Sequence, residues 1–193
     1  MNTQAQDVLE FWFGKRGTEA YGKPRKAWFW SGPAFDEEIR TRFGTLYEKA
    51  AAGHLEGWKD DPDECLALII VLDQFSRNLF REGPRAYAAD PLALDAARYA
   101  VENGFDQRVE PAVLRWFVYL PFEHSEDLAM QDLSVRLFKS LGDDPLHAEV
   151  IDYADRHRRV IRRFGRFAHR NKDLGRESTA EELEFLAGPG APF

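Results

Sequence analysis

Residues 65–81, CLALIIVLDQFSRNLFR, decide the fold, because they are strongly apolar and yet carry charges at their centre. At 100° per residue, Asp73 and Arg77 share one helical stripe with large apolar side chains, and the opposite side is apolar too. A helix that is apolar all round is normally buried on every side. The stretch predicts a central helix over 62–81 whose two charges pair at i,i+4 or face a polar cavity.

The remainder of the chain shows helical spacing and no alternating strand pattern. Acid–proline pairs such as Asp61-Pro62 and Asp144-Pro145 are typical of helix starts. We therefore predict an all-α fold of about eight helices in antiparallel pairs, resembling stacked helix-turn-helix units. Residues 1–193 form one predicted domain, with a long aromatic and basic loop at 14–34.

Composition excludes several classes of protein. The chain has 193 residues, a net charge of −7 and a single cysteine, Cys65, so an internal disulfide and a multi-cysteine metal site cannot form. No apolar run is long enough to cross a bilayer, and the acidic balance disfavours nucleic-acid binding by the whole surface. We expect a cytoplasmic protein with no cofactor, no metal and no membrane partner.

The segment 121–127, PFEHSED, gathers three acids and a histidine at a helix junction. One interpretation is structural, because Glu126 would lie in the first helical turn, where the helix dipole favours acids. A metal site using His124 is the weaker alternative, since no second ligand lies at metal spacing. Farther along, His157 falls on the core-facing stripe of its helix, which suits a buried structural histidine or a ligand-binding one.

The segment 156–176 holds nine Arg or Lys residues against one acid. Its glycine-containing turn places several donors together, which suits a carboxylate or phosphate. The alternatives are internal salt bridges to acids such as Asp73 or Glu126, and RNA binding. The donors in question are Arg166, His169, Arg170, Asn171 and Arg176.

Four ordered blocks carry a family resemblance: FWFG at 11–14, LDQFSRN at 72–78, PFEHSEDLAMQ at 121–131 and FGRFAHRNKDLGR at 164–176. Over nearly its whole length the chain resembles the bacterial DUF924 family. The resemblance implies an all-α fold similar to tetratricopeptide-repeat proteins. Because the family has no assigned function, it supplies no catalytic residues.

Our first hypothesis is a binding module with a polar, partly cationic pocket for a small anionic ligand or an acidic peptide end. The second is a hydrolase-like enzyme, with His124 or His157 as general base and Glu126 as the orienting acid. The third is an interaction scaffold that uses the Trp28–Trp30 cluster as an anchor. The predicted pocket residues are Asp73, Arg77, Asn78, His124, Glu126, His157, Arg166, His169, Arg170 and Asn171.

Overall fold

The computed structural model describes residues 2–81 and 83–188, and within these ranges it contains helices and no strand. The all-α prediction is confirmed. Short 3₁₀ turns connect the helices. The α-helices are α1 Thr3–Phe13, α2 Pro33–Ala51, α3 Pro62–Ile69, α4 Ser76–Leu79, α5 Asp90–Glu102, α6 Arg115–Glu123, α7 Leu128–Lys139, α8 Ala148–Phe164 and α9 Ala180–Ala187.

The chain divides into two compact units. Unit one comprises residues 1–81 and 85–121, and unit two comprises 82–84 and 122–193. Each unit is described separately below. The single-domain organisation and the tetratricopeptide-like stacking remain predictions.

The predicted central helix is interrupted. A π-helical segment, Ile70–Phe75, separates α3 from α4. The predicted start is confirmed, because the side chain of Asp61 accepts bonds from the backbone N–H groups of Asp63 and Glu64 at 3.0 and 3.1 Å. A π turn shifts the backbone bond from i+4 to i+5, which hydrophobic periodicity does not reveal. The interruption contains Asp73 and Gln74, so the polar centre of this stretch lies where the helix is irregular.

Unit one is built around packed aromatic rings. The ring of Trp12, which is fully buried, makes edge contacts with Phe75 at 5.6 Å and Phe117 at 5.7 Å between centroids. Trp28 belongs to the same core, and its indole N–H donates to the carbonyl oxygen of Trp12 at 2.9 Å. The N-terminal helix and Trp28 of the 14–34 loop are therefore fixed to the core.

Two helix boundaries that the sequence predicts are wrong, an end at Pro121 and a start after Ser125. Pro121 lies inside α6, which continues to Glu123. The next helix starts after Asp127, whose carboxylate caps the N–H groups of Ala129 and Met130, and not after Ser125. An aspartate accepts such bonds as well as a serine, so composition alone does not distinguish the two positions.

In unit two, α7 packs against α8. Asp132 on α7 lies 3.5 Å from Arg158 and 3.6 Å from Arg162 on α8. A small apolar cluster of Val160, Ile161 and Phe167 closes the far end of α8. Residues 178–182, STAEE, predict a capping box at the start of the last helix in either of two registers. The structure has the register of Thr179 and Glu182.

Within the described residues, none of the helices combines the length and apolarity that a bilayer crossing requires.

Candidate functional site

The buried charges of unit one form an ion-pair network. The carboxylate of Asp73, 1% exposed, lies 3.4 Å from the guanidinium of Arg77, which confirms the i,i+4 pairing. Arg77 also donates to both carboxylate oxygens of Asp90, at 3.0 and 3.2 Å. Burial lowers the pKa of Arg77, but the two carboxylates outweigh it and raise that pKa above its usual value. Arg77 is therefore a permanent cation held between two acids.

Asn78 belongs to a second network in unit one. Its amide donates to Ser31 Oγ at 3.0 Å and to Asp36 Oδ1 at 2.8 Å. The guanidinium of Arg81 binds the same carboxylate and the same hydroxyl. Burial raises the pKa of Asp36, but bonds from Arg81 and Asn78 outweigh this and lower it overall. These bonds tie the end of the central helix to the start of α2.

In unit two, Glu126 binds the segment that follows α8. Its carboxylate accepts two bonds from Arg176, at 2.7 and 3.0 Å, and one from the backbone N–H of Phe167 at 2.7 Å. Burial alone would raise the pKa of Glu126, but the bonds from Arg176 and Phe167 outweigh burial and hold this pKa below its usual value. The sequence alternative of an internal salt bridge to Glu126 is confirmed, with Arg176 as the cation.

Arg166 and Asn171 belong to a network around Glu182. Arg166 donates to both oxygens of the Glu182 carboxylate, at 2.6 and 2.8 Å. The Asn171 amide donates to the same carboxylate at 3.3 Å and accepts from Arg176 at 2.9 Å. Bonds from Arg166, opposed by burial, lower the pKa of Glu182 to about 2. Two of the predicted anion donors therefore already bind an acid of the chain itself.

Glu123 is the carboxylate beside His157. It ends α6, where the amide of Gln131 donates to the carbonyl oxygens of Glu123 and Ser125, at 2.6 Å each. Gln131 shares a helical stripe with Leu128, Val135 and Phe138, which predicts that it points inward. The structure confirms this orientation, and the amide satisfies carbonyls that a helix end leaves unbonded. Oε1 of Glu123 lies 3.2 Å from Nδ1 of His157, and both side chains are buried.

His157 is a buried, neutral imidazole. Its Nδ1 lies 2.9 Å from the carbonyl oxygen of Tyr153, which can only accept, so we assign the proton to Nδ1. Burial lowers the pKa of His157 to about 3, and electrostatic interactions with His124, His169 and Arg170 add to this effect.

The imidazole rings of His157 and His169 and the guanidinium of Arg170 pack around one aromatic ring, that of Phe167. The ring of Phe167, fully buried, lies 5.5 Å from that of His157 and 5.6 Å from that of His169. The guanidinium carbon of Arg170 lies 4.6 Å from the centroid of the same ring. His124 completes the group, with its ring 6.4 Å from His157. We call His124, His157, His169 and Arg170 the histidine cluster.

Of the ten predicted pocket residues, three lie in the two networks of unit one and four form the histidine cluster. The other three, Glu126, Arg166 and Asn171, lie in the ion-pair networks around Glu126 and Glu182. The prediction that Glu126 orients a histidine is wrong, because Glu126 binds Arg176 and Phe167 while Glu123 lies beside His157. Asp73, Arg77 and Asn78 belong to unit one, and the other seven belong to unit two. Their convergence in one pocket remains a prediction.

Sequence reasoning missed the roles of Glu123 and Phe167. Glu123 was seen only as one acid in a helix junction, and the expected helix end at Pro121 removed it from α6. Phe167 lies in the stretch 164–170, FGRFAHR, where aromatic and basic side chains alternate. That alternation was the available signal, since a ring between basic residues is a candidate cation–π partner.

A cleft of about 530 Å³ opens in unit one between α1, the 14–34 loop and α2. None of the ten predicted pocket residues lines it. Among the described residues, no three His, Cys, Asp or Glu side chains are arranged to hold a metal ion. The cleft is lined by Glu10, Phe11, Phe13, Gly14, Ala20, Lys23, Arg25, Phe35 and Glu38.

Comparison with known proteins decides the family. The model of the DUF924 family, bacterial proteins of unknown function, matches residues 8–190. The chain belongs to the DUF924 family. A solved structure of a protein of unknown function from Agrobacterium tumefaciens is similar to this DUF924 protein, with 40% identity and a TM-score of 0.82. The match covers 95% of this chain and 96% of that one. No curated protein matches the chain.

Proposed function

We propose that this DUF924 protein binds a small anionic ligand, a carboxylate or a phosphate, at the histidine cluster of unit two. The observation that carries the proposal is the packing of His157, His169 and Arg170 around the single ring of Phe167. This packing concentrates cationic and hydrogen-bonding groups on a fixed apolar support, as an anion site requires.

The electrostatics of the cluster favour an anion. Arg170, a permanent cation, contributes to lowering the pKa of His157, as do His124 and His169. Arg170 is 6% exposed, where low dielectric strengthens charge interactions, whereas His124 and His169 are only half-buried and reach water. The ligand would contact the two half-buried imidazoles first, with Arg170 supplying permanent charge behind them.

The remaining cations of the 156–176 segment support this assignment. Many of them bind acids of the same unit: Arg156 binds Asp152, Arg158 binds Asp132 and Asp155, Arg163 binds Glu181, and Arg176 binds Glu126. Such pairing leaves less free charge for a phosphate backbone, which argues against the RNA-binding alternative.

The enzyme alternative receives weaker support. His157 has a carboxylate beside it, as an acid–base pair requires. However, an imidazole with a pKa of about 3 is a poor base near pH 7, and its side chain is 8% exposed. A catalytic version would therefore depend on His124, which is more accessible.

We also propose a cytoplasmic location and the tetratricopeptide-like stacking, for which the α7–α8 pair is the supporting feature.

A calorimetric titration tests the proposal. The probes are inorganic phosphate, citrate, a nucleoside monophosphate and a short peptide with an acidic C-terminus. We expect at least one to bind, and His169→Ala to weaken that binding by about tenfold, the value of one charge-assisted hydrogen bond. His54→Ala is the matched control, because His54 is an exposed histidine of unit one. Absence of binding by all four probes, or equal binding by His169→Ala, would contradict the proposal.

A further inference from the structure

Two large aromatic side chains are exposed at adjacent positions in unit one. Phe29 is 47% exposed and Trp30 is 61% exposed, and their rings lie 6.2 Å apart in an edge-to-face arrangement. They begin a short connection, residues 29–32, that leads into α2. We call residues 29–32 the aromatic loop. Exposed apolar surface of this kind is a recognised sign of an interaction site.

The aromatic loop is held in place. Trp28, which precedes it, is 5% exposed and donates its indole N–H to the core. The backbone N–H of Trp30 donates to the carbonyl oxygen of Lys26 at 2.9 Å. Ser31 receives bonds from Asn78, at 3.0 Å, and from Arg81. Because both ends are bonded, the exposure of the two rings is a fixed feature of the fold.

The charge around the loop is positive. Residues 27–35 contain no charged side chain, and Lys26 immediately precedes them. Arg25, the residue before Lys26, donates to the backbone carbonyl oxygens of Phe11 and Trp12 and so keeps its positive charge. Lys23, Arg40 and Arg42 pair with Glu19, Glu37 and Glu38, so the positive charge beside the loop comes from Arg25 and Lys26.

We propose that the aromatic loop docks peripherally on a bilayer of anionic phospholipid. Phe29 and Trp30 would insert at the level of the headgroups, and Lys26 would contact lipid phosphates. Trp and Phe beside basic residues suit this interface. The backbone N–H groups of Phe29 and Trp30 already donate within the chain, so insertion leaves neither of them unbonded. The expectation of no membrane partner rested on the absence of a segment that could span a bilayer. Peripheral docking requires no such segment.

The size of the patch favours a bilayer over a protein surface. The exposed parts of the two rings amount to roughly 200 Å². A stable protein interface buries about 800 Å² on each partner. A fluid bilayer needs no complementary surface and accepts two protruding rings with flanking cations, which is what the loop presents.

Vesicle binding by the full chain tests the proposal, and its tryptophans give a specific signal. Trp12, Trp28, Trp58 and Trp116 are each 5% exposed or less, so Trp30 is the exposed indole. We expect the chain to co-sediment with vesicles of equimolar phosphatidylglycerol and phosphatidylcholine, and its emission to shift to the blue. Pure phosphatidylcholine vesicles should bind about tenfold more weakly, and added salt should weaken binding to the anionic ones.

Variants separate the loop from other apolar surface. The double variant Phe29→Ser/Trp30→Ser should lose about tenfold or more in binding, and Lys26→Glu about fivefold. Leu183→Ser, at a 57% exposed leucine on α9, should bind as the unchanged chain does. Circular dichroism checks that each variant is folded. Three results would overturn the proposal: no binding to anionic vesicles, equal binding by the folded double variant, or loop-dependent self-association without vesicle binding.

Discussion

Nδ1 of His157 lies 3.2 Å from Oε1 of Glu123 and so joins α8 to the end of α6 within unit two. The same nitrogen faces the carbonyl oxygen of Tyr153, so two acceptors share one N–H donor. A second proton on this ring would add a positive charge beside His124, His169 and Arg170. Burial of the ring, the largest cause of its lowered pKa, favours the neutral imidazole.

This relationship predicts how stability depends on pH. Because the folded-state pKa of His157 is about 3 and the usual value is 6.5, the unfolded chain binds an extra proton between these values. Stability should therefore fall as the pH decreases below 6.5, by at most about 1.4 kcal/mol per pH unit from this residue. Urea unfolding from pH 7 to pH 5 measures the slope, and His157→Asn should flatten it.

The matched control is His54→Asn, which removes an exposed histidine and should leave the slope unchanged. The range above pH 5 is chosen because the carboxylates with lowered pKa values, Asp36, Glu126 and Glu182, lose their contribution only at lower pH. An equal slope in the folded His157→Asn variant would show that the buried histidine is not its source.

Glu182→Ala should destabilise the chain by about 2–3 kcal/mol. Glu182 is 2% exposed, completes the capping box of α9 and accepts two bonds from Arg166. Glu181→Ala removes the neighbouring acid, whose side chain is 60% exposed, and should cost less than about 1 kcal/mol. Thermal unfolding of both variants makes the comparison. Since the pKa of Glu182 is about 2, its contribution should be complete above pH 4.5 and lost below it.

Equal melting temperatures for the two variants would contradict the role assigned to the Glu182 network.

Arg77→Met should destabilise the chain by about 2–4 kcal/mol. The substitution keeps much of the apolar stem but removes the cation that Asp73 and Asp90 share, and Asp73 is almost fully buried. Arg98→Met is the control in the same unit, because Arg98 and Glu102 are both more than half exposed. We expect it to cost less than about 0.5 kcal/mol. Chemical denaturation monitored by helical circular dichroism measures both, and a similar loss in the control would contradict the prediction.

Local sequence rules predicted the local features of this fold. The i,i+4 spacing of Asp73 and Arg77 predicted their contact, Asp61 before Pro62 predicted a helix start, and the Thr179–Glu182 pair predicted a capping box. Each feature depends on residues within one helical turn, so the sequence contains the complete pattern.

The site depends on long-range contacts that no spacing rule contains. Arg176 binds Glu126 from 50 positions away, and Glu123 lies beside His157 from 34 positions away. The π turn at Ile70–Phe75 is equally hidden, since one shifted backbone bond leaves the apolar pattern intact. Charge counting overestimated the free basic surface between residues 156 and 176, because it could not show which arginines bind acids elsewhere in the unit.

Nuclear magnetic resonance of the histidine side chains tests anion binding at the histidine cluster most directly. Inorganic phosphate is titrated into the full chain at constant pH and ionic strength while the imidazole resonances are followed. We predict saturable shifts for His124 and His169 with one shared dissociation constant, and no saturable shift for the exposed His54. Unchanged His124 and His169 resonances, or changes that match those of His54, would contradict the account.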